Sequence, residues 1–132
     1  MAYLIDSDIL INSIKGNSRI RQRIIDVAAI PKAISIITYG ELLYGAKRSR
    51  QGEKNSSIIY RIAEIFPIIG ISRAIMETFV DVKLSLERKG QRLDEFDLMI
   101  AATAFSLNYT LVTNNGNHFK RIEGIRLENW ME

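Results

Sequence analysis

GQRLDEFDLMIAATA, residues 90–104, opens on charge and turns almost wholly apolar at Leu98, Met99, Ile100, Ala101, Ala102 and Ala104. A helix that is apolar on nearly every side belongs inside a domain rather than on its surface. Asp97 stands at the mouth of that helix, with Asp94 one turn before it. Residues three apart on a helix share a face, so the two carboxylates can point at one spot. A buried carboxylate is costly unless something neutralises it, and no Lys, Arg or His lies within the helix to pair with Asp97. Taken alone, the pair has a plainer reading. Asp94 as N-cap with Asp97 at the third helical position is a variant of the capping box and suits the helix dipole.

The segments around this helix alternate in kind. Tyr3-Leu4-Ile5 is a short apolar run ending at Asp6 and reads as a buried strand. Ile9, Leu10, Ile11 and Ile14 then follow a helical pattern, with Ser7 or Asp8 as its N-cap and Gly16-Asn17 as its stop. Ser18 caps a second helix over Arg19–Ala29. The β-branched run Ala33–Ile37 predicts a second buried strand. Thr38 opens a helix through Leu42, Leu43 and Ala46 that ends in the basic cluster Lys47, Arg48, Arg50. After Gly52 the spacing of Ile58, Ile59, Ile62 and Ile65 predicts a helix over residues 55–65, so the two form a helical hairpin. Phe66–Ile71 is a third strand, and Pro67 places it at an edge. Ser72 caps a long helix to about Lys89. Beyond the 94–104 helix, Tyr109–Val112 is a fourth strand, Asn114–Phe119 a polar turn and Ile125–Leu127 a fifth strand, with Trp130 packing the C-terminus down. Strands alternating with helices pair in parallel through right-handed crossovers. The fold class is α/β: one domain over residues 1–132, an α/β/α sandwich around a parallel sheet of four or five short strands.

Composition narrows the chemistry. The chain has 132 residues, 47% apolar and 25% charged, ordinary for a soluble globular domain. It has no cysteine and one histidine, His118. A disulfide framework, a thiolate metal site and a multi-histidine zinc site are therefore excluded. A metal in this chain must be held by oxygen, which points to magnesium or manganese. Asp6 and Asp8 interrupt the apolar start and no basic region precedes it, which is not a secretory signal, and no run has the length of a membrane span. The expected compartment is the cytoplasm. A net charge of +3 favours polyanion partners mildly.

Ligand sites of parallel sheets lie at the carboxyl ends of the strands. Asp6 ends the first strand, Glu41 sits one turn into the helix after the second, and Asn115 lies just past the fourth. Asp94 and Asp97 open the helix that feeds that fourth strand. If the first and fourth strands are neighbours, all these groups meet in one cleft. Each has a structural alternative: Thr38-x-x-Glu41 matches a capping box, Asp6 can simply end a strand, and Asn114-Asn115-Gly116 can be only a turn. Jointly, however, they gather uncompensated carboxylates that would repel or hold protons. A divalent cation removes that penalty and suits phosphodiester hydrolysis. Arg19, Arg21, Lys47, Arg48 and Arg50 could then track a nucleic-acid backbone.

Four stretches, YLIDSDILI, ISIITYGELLYGA, GQRLDEFDLMIAATA and LVTNNGNHFKRIEGIRLENW, stand in the order and spacing of a known family. Over nearly its whole length the chain resembles PIN-domain ribonucleases, specifically VapC-type toxins of toxin–antitoxin pairs. The resemblance implies Mg2+- or Mn2+-dependent hydrolysis of RNA, a cognate antitoxin that inserts into the active-site groove, and a homodimer. Asp6, Glu41 and Asp97 match the family's acidic site, and Asp94 matches a position acidic in many members. Asn115 falls where many members carry a further Asp, a departure that leaves one metal or two. Ser7 and Thr113 match small hydroxyl residues lining the site, and Arg48 is a candidate substrate contact. Asp8 falls where Asn is frequent and stays outside the metal set. Two rivals remain. Asp6-Ser7-Asp8 resembles the nucleophile motif of haloacid-dehalogenase-like phosphatases, but Asn114-Asn115 supplies no later acid. Asn115 also permits a catalytically weakened module that binds RNA or protein.

Overall fold

The computed structural model describes residues 1–132. Five short parallel strands form one sheet: β1 (Tyr3–Ile5), β2 (Lys32–Ser35), β3 (Ile68–Ile69), β4 (Thr110–Val112) and β5 (Leu127–Glu128), in the order β3-β2-β1-β4-β5. The first and fourth strands are neighbours, with Leu4 opposite Leu111 and Ile5 opposite Val112. β3 lies at the edge, as Pro67 predicts, but pairs over two residues only. β5 begins at Leu127, two residues later than the apolar run suggests.

Side-chain alternation along β1 divides the core. Tyr3 and Ile5 face a layer built from α1 (Ser7–Ile14), α2 (Ser18–Asp26), α3 (Ile36–Arg48) and α4 (Gly52–Ile65). Leu4 faces the opposite layer, built from α5 (Arg73–Arg88) and α6 (Glu95–Leu107). A period of two across a sheet produces this sandwich. Ile100, Ala101, Ala102, Thr103 and Ala104 of α6 are wholly buried, so the apolar helix that opened the sequence reading is the inner helix of its layer. Trp130 does pack the C-terminus down: it is buried with its ring edge-to-face on Tyr3 at 5.1 Å, a preferred aromatic geometry.

Four helix starts differ from the sequence reading. α1 is capped by Asp6, not Ser7 or Asp8, because β1 runs directly into the helix. α2 is capped by Asn17 rather than Ser18 and ends at Asp26, short of Ala29. β2 stops at Ser35, whose hydroxyl accepts the Ile37 N–H at 3.1 Å, so α3 begins at Ile36. β-branched residues serve strands and buried helix turns alike, and the Ser35 cap decides between them. α4 begins at Gly52, a full turn before the predicted Asn55.

Candidate active site

The carboxyl ends of β1 and β4 carry the centre of the site. Asp6 ends β1 and is buried; its Oδ1 accepts the Ser7 N–H at 2.8 Å and its Oδ2 the Thr113 hydroxyl at 2.8 Å. Its own N–H donates to the Val112 carbonyl at 2.9 Å, which fixes the two strands in register at this point. Thr113 is itself buried, and its Oγ accepts the Asn115 N–H at 3.0 Å. It therefore orients Asp6 from behind, with only a trace of its surface open at the loop that follows β4.

Glu41 lies in the second turn of α3. Since α3 is capped by Ser35, Thr38 is an interior helical residue and no Thr38–Glu41 capping box exists. The Glu41 carboxylate takes part in no ion pair and is free for other work. Asp94 is the N-cap of α6 and accepts the Phe96 N–H at 3.1 Å. The reciprocal bond from Asp97 is not made, so the plainer reading accounts for Asp94 and leaves Asp97 unexplained.

Electrostatics ties these acids together. Burial, then Asp8, pushes the Asp6 carboxyl up to about 7. Glu41 is raised by burial and by Asp97, Asp94 and Asp8. Asp97 is raised by burial and by Asp94, with His118 acting in the opposite direction. Asp8 is raised by burial, against the hydrogen bonds it accepts. The three ion pairs of the chain, Arg23–Glu128, Lys83–Glu95 and Lys89–Glu123, all lie elsewhere. Apart from the partial offset of Asp97 by His118, no basic side chain neutralises the group, and none forms an ion pair with it.

Two participants were not legible beforehand. Asp8 enters every one of these couplings, and its Oδ2 accepts the Asn114 N–H at 3.0 Å, tying the loop after β4 to α1. Its position in the first turn of α1, two residues past Asp6, was the available signal. His118, on the short helix α7 (Gly116–Phe119), lies within electrostatic range of Asp97 without bonding it, a placement with no local signature.

The other expected residues are dispersed. Ser7 is the first residue of α1, half-buried beside Asp6. Asn115 caps α7 through its carbonyl, which accepts the His118 and Phe119 N–H groups, while its side chain caps nothing. Arg48 stands two turns from Glu41, about 10 Å along α3, exposed and stacked over the Tyr44 ring at 5.3 Å. Arg19 and Arg21 bond the Met131 and Ser13 carbonyls, so their guanidinium groups hold surface backbone.

The donor set suits a hard divalent cation: carboxylate oxygens only, with Asp6, Glu41 and Asp97 raised by burial and by like charge. No three of them already stand around a common point at ligating distance. Gathering them takes side-chain rotation about a positive charge, whose attraction offsets the mutual repulsion that otherwise keeps them apart.

Comparison with known proteins bears on this arrangement. Residues 3–125 match the PIN domain family. The chain is 34% identical over 132 residues to ribonuclease VapC2 of Rickettsia felis, covering 98% of each protein. It is 30% identical over 131 residues to the tRNA(fMet)-specific endonuclease VapC of Shigella flexneri, again covering 98% of each. The crystal structure of VapBC2 from Rickettsia felis bound to a promoter DNA fragment superposes with a TM-score of 0.93 at 34% identity, covering 98% of this chain and 99% of that one.

Proposed function

We propose, from the premise that this chain belongs to the PIN-domain family with VapC ribonucleases as full-length relatives, that it is the ribonuclease toxin of a VapBC-type pair. The observation that carries the reading is the cluster of Asp6, Glu41, Asp94 and Asp97 at the carboxyl ends of the central strands, none of them in an ion pair. Mg2+ or Mn2+ is the cofactor this donor set fits. Asp6 and Asp97 would hold it, directly or through water, with Glu41 as a further ligand or as the group that orients the attacking water. Asp94 is an outer ligand and acceptor, and the Asn115 amide orients water or substrate. A bound divalent ion supplies the positive charge that polarises the phosphodiester and lowers the pKa of water. Ser7 borders the site from the start of α1, and Arg48 offers a cation two turns along α3 for a flanking phosphate.

The partner reading rests on a second feature. An apolar groove of about 540 Å3 runs beside Glu41, lined by Ile11, Ile14, Leu42, Gly45 and Ile58. An antitoxin segment seated there would cover exposed Ile11 and Ile14 and close access to the acids. A homodimer and a cytoplasmic location belong to the same reading; no helix of the chain is long and apolar enough to cross a membrane.

The test is cleavage of cellular RNA by antitoxin-free protein with Mg2+, with Mn2+ and with chelator. The Shigella relative's specificity puts tRNA first among defined substrates. Metal-dependent discrete fragments are expected. Folded protein that cuts no RNA under any of these conditions would favour the weakened-module reading that Asn115 permits.

Thr113→Val tests the support behind the acids. Valine keeps the shape and removes the hydroxyl that holds Asp6 at 2.8 Å. Groups that orient ligands contribute about 10–100-fold to metal affinity or activity. A fall of that size in cleavage at limiting Mn2+ is expected, with partial recovery at high Mn2+.

A further inference from the structure

The carboxyl ends of β4 and β5 open onto a second cleft, of about 290 Å3, lined by Thr113, Asn114, Asn117, Glu128, Asn129 and Glu132 among others. It lies next to the acids: the Thr113 hydroxyl holds Asp6, and the Asn114 N–H holds Asp8. Its amides are oriented. Asn129 Nδ2 donates to Asn114 Oδ1 at 2.9 Å and to Glu132 Oε1 at 3.4 Å, while Asn129 Oδ1 accepts the Met131 N–H. The Asn117 side chain is exposed in the cleft. Glu128 is tied to Arg23 and to the Trp130 indole N–H, so Glu132 is the carboxylate with capacity to accept from a ligand.

No Lys or Arg lines this cleft. Arg23 is spent on Glu128 from outside the lining, and the unpaired Glu132 carboxylate repels a phosphate. Amides and a carboxylate do suit an uncharged planar group presenting N–H and C=O, as protein side chains do when they read a nucleobase edge. Resting on the ribonuclease reading above, we propose that this cleft receives the nucleobase flanking the scissile phosphate and favours bases that carry an exocyclic amino group. The amino group of cytosine or adenine donates to Glu132 and to an amide oxygen. Uracil presents two carbonyls and one N–H, which sets a carbonyl against the carboxylate.

Cytidine and uridine differ at this edge by amino against carbonyl, so they are the probes. In 15N spectra of the metal-free protein, cytidine is expected to move the side-chain amide signals of Asn117 and Asn129, with uridine weaker by about fivefold or more. Asn129→Ala and, separately, Glu132→Gln are expected to level the two nucleosides. Oligonucleotides differing only by C or U beside the cut should show the same ratio in kcat/KM, lost in the same variants. Failure of the nuclease reading would leave the nucleoside shifts in place without cleavage. The proposal is overturned by equal response to both nucleosides, by a C/U cleavage ratio unchanged in both variants, or by amide signals that ignore nucleosides and move only with the antitoxin.

Discussion

Asp97→Asn is expected to lower RNA cleavage by about a thousandfold or more, while the far-UV spectrum and melting behaviour stay those of the parent. The size follows from removing one charged group from a preorganised electrostatic centre. The preserved fold follows from its surroundings. Asp97 accepts no hydrogen bond that caps α6, a role filled by Asp94, and it joins no ion pair. Asparagine has nearly the same shape, and the burial of Leu98 and Ile100 just behind it is untouched. The paired measurement is the rise in melting temperature produced by Mn2+, since a ligand bound only to the native state stabilises it. That rise should be present in the parent and lost in the variant. Cleavage within about tenfold of the parent would remove Asp97 from the centre.

Asp6→Asn should abolish cleavage equally and, unlike Asp97→Asn, stabilise the metal-free protein. Burial and Asp8 raise the Asp6 carboxyl from 3.8 up to about 7. Between those values the native state binds a proton that the unfolded chain has already released. Stability of the metal-free parent therefore falls as pH rises from about 4 to about 7 and is level above. The full ionisation penalty corresponds to about 4 kcal/mol. Asparagine avoids it, keeps an oxygen for the Ser7 N–H, and can donate to the Thr113 hydroxyl instead of accepting from it. A net gain of about 2 kcal/mol at pH 8 is reasonable, or about 6–8 °C in melting temperature. The gain should shrink towards zero near pH 4. A pH-independent difference, or a loss, would mean that Asp6 is not held under strain by its neighbours. Saturating Mn2+ should reverse the order, by stabilising only the parent.

The sequence made the sheet and the convergence of the acids legible because both rest on coarse periodicities. Tyr3-Leu4-Ile5 and Tyr109–Val112 are short, mostly apolar runs that end at a polar residue, Asp6 and Thr113, and the crossover rule makes them parallel. Asp6 ends the first of those runs, and Asp94 and Asp97 open the helix that feeds the second, where the fold itself gathers them. What was missed depends on single side-chain hydrogen bonds. Ser35, not Thr38, caps α3, and only that detail frees Glu41 from a capping role. Asp8 looked like a helix cap because residues in a first turn usually are. The geometry shows it holding the loop after β4 and adding charge to the centre. His118 and the Asn129 cleft are products of tertiary placement, and no local pattern announces either.

The alanines of α6 have a genetic consequence. Ala101, Ala102 and Ala104 are wholly buried on the helix whose first turn carries Asp97. A side chain one or two carbons larger has no room there, and overpacked cores relax by shifting backbone at a cost of about 1–3 kcal/mol. Displaced along its axis, α6 would carry Asp97 out of alignment before the domain as a whole gave way. Conditional alleles, silent when warm and toxic when cool or the reverse, are therefore to be sought among substitutions that never touch an acid.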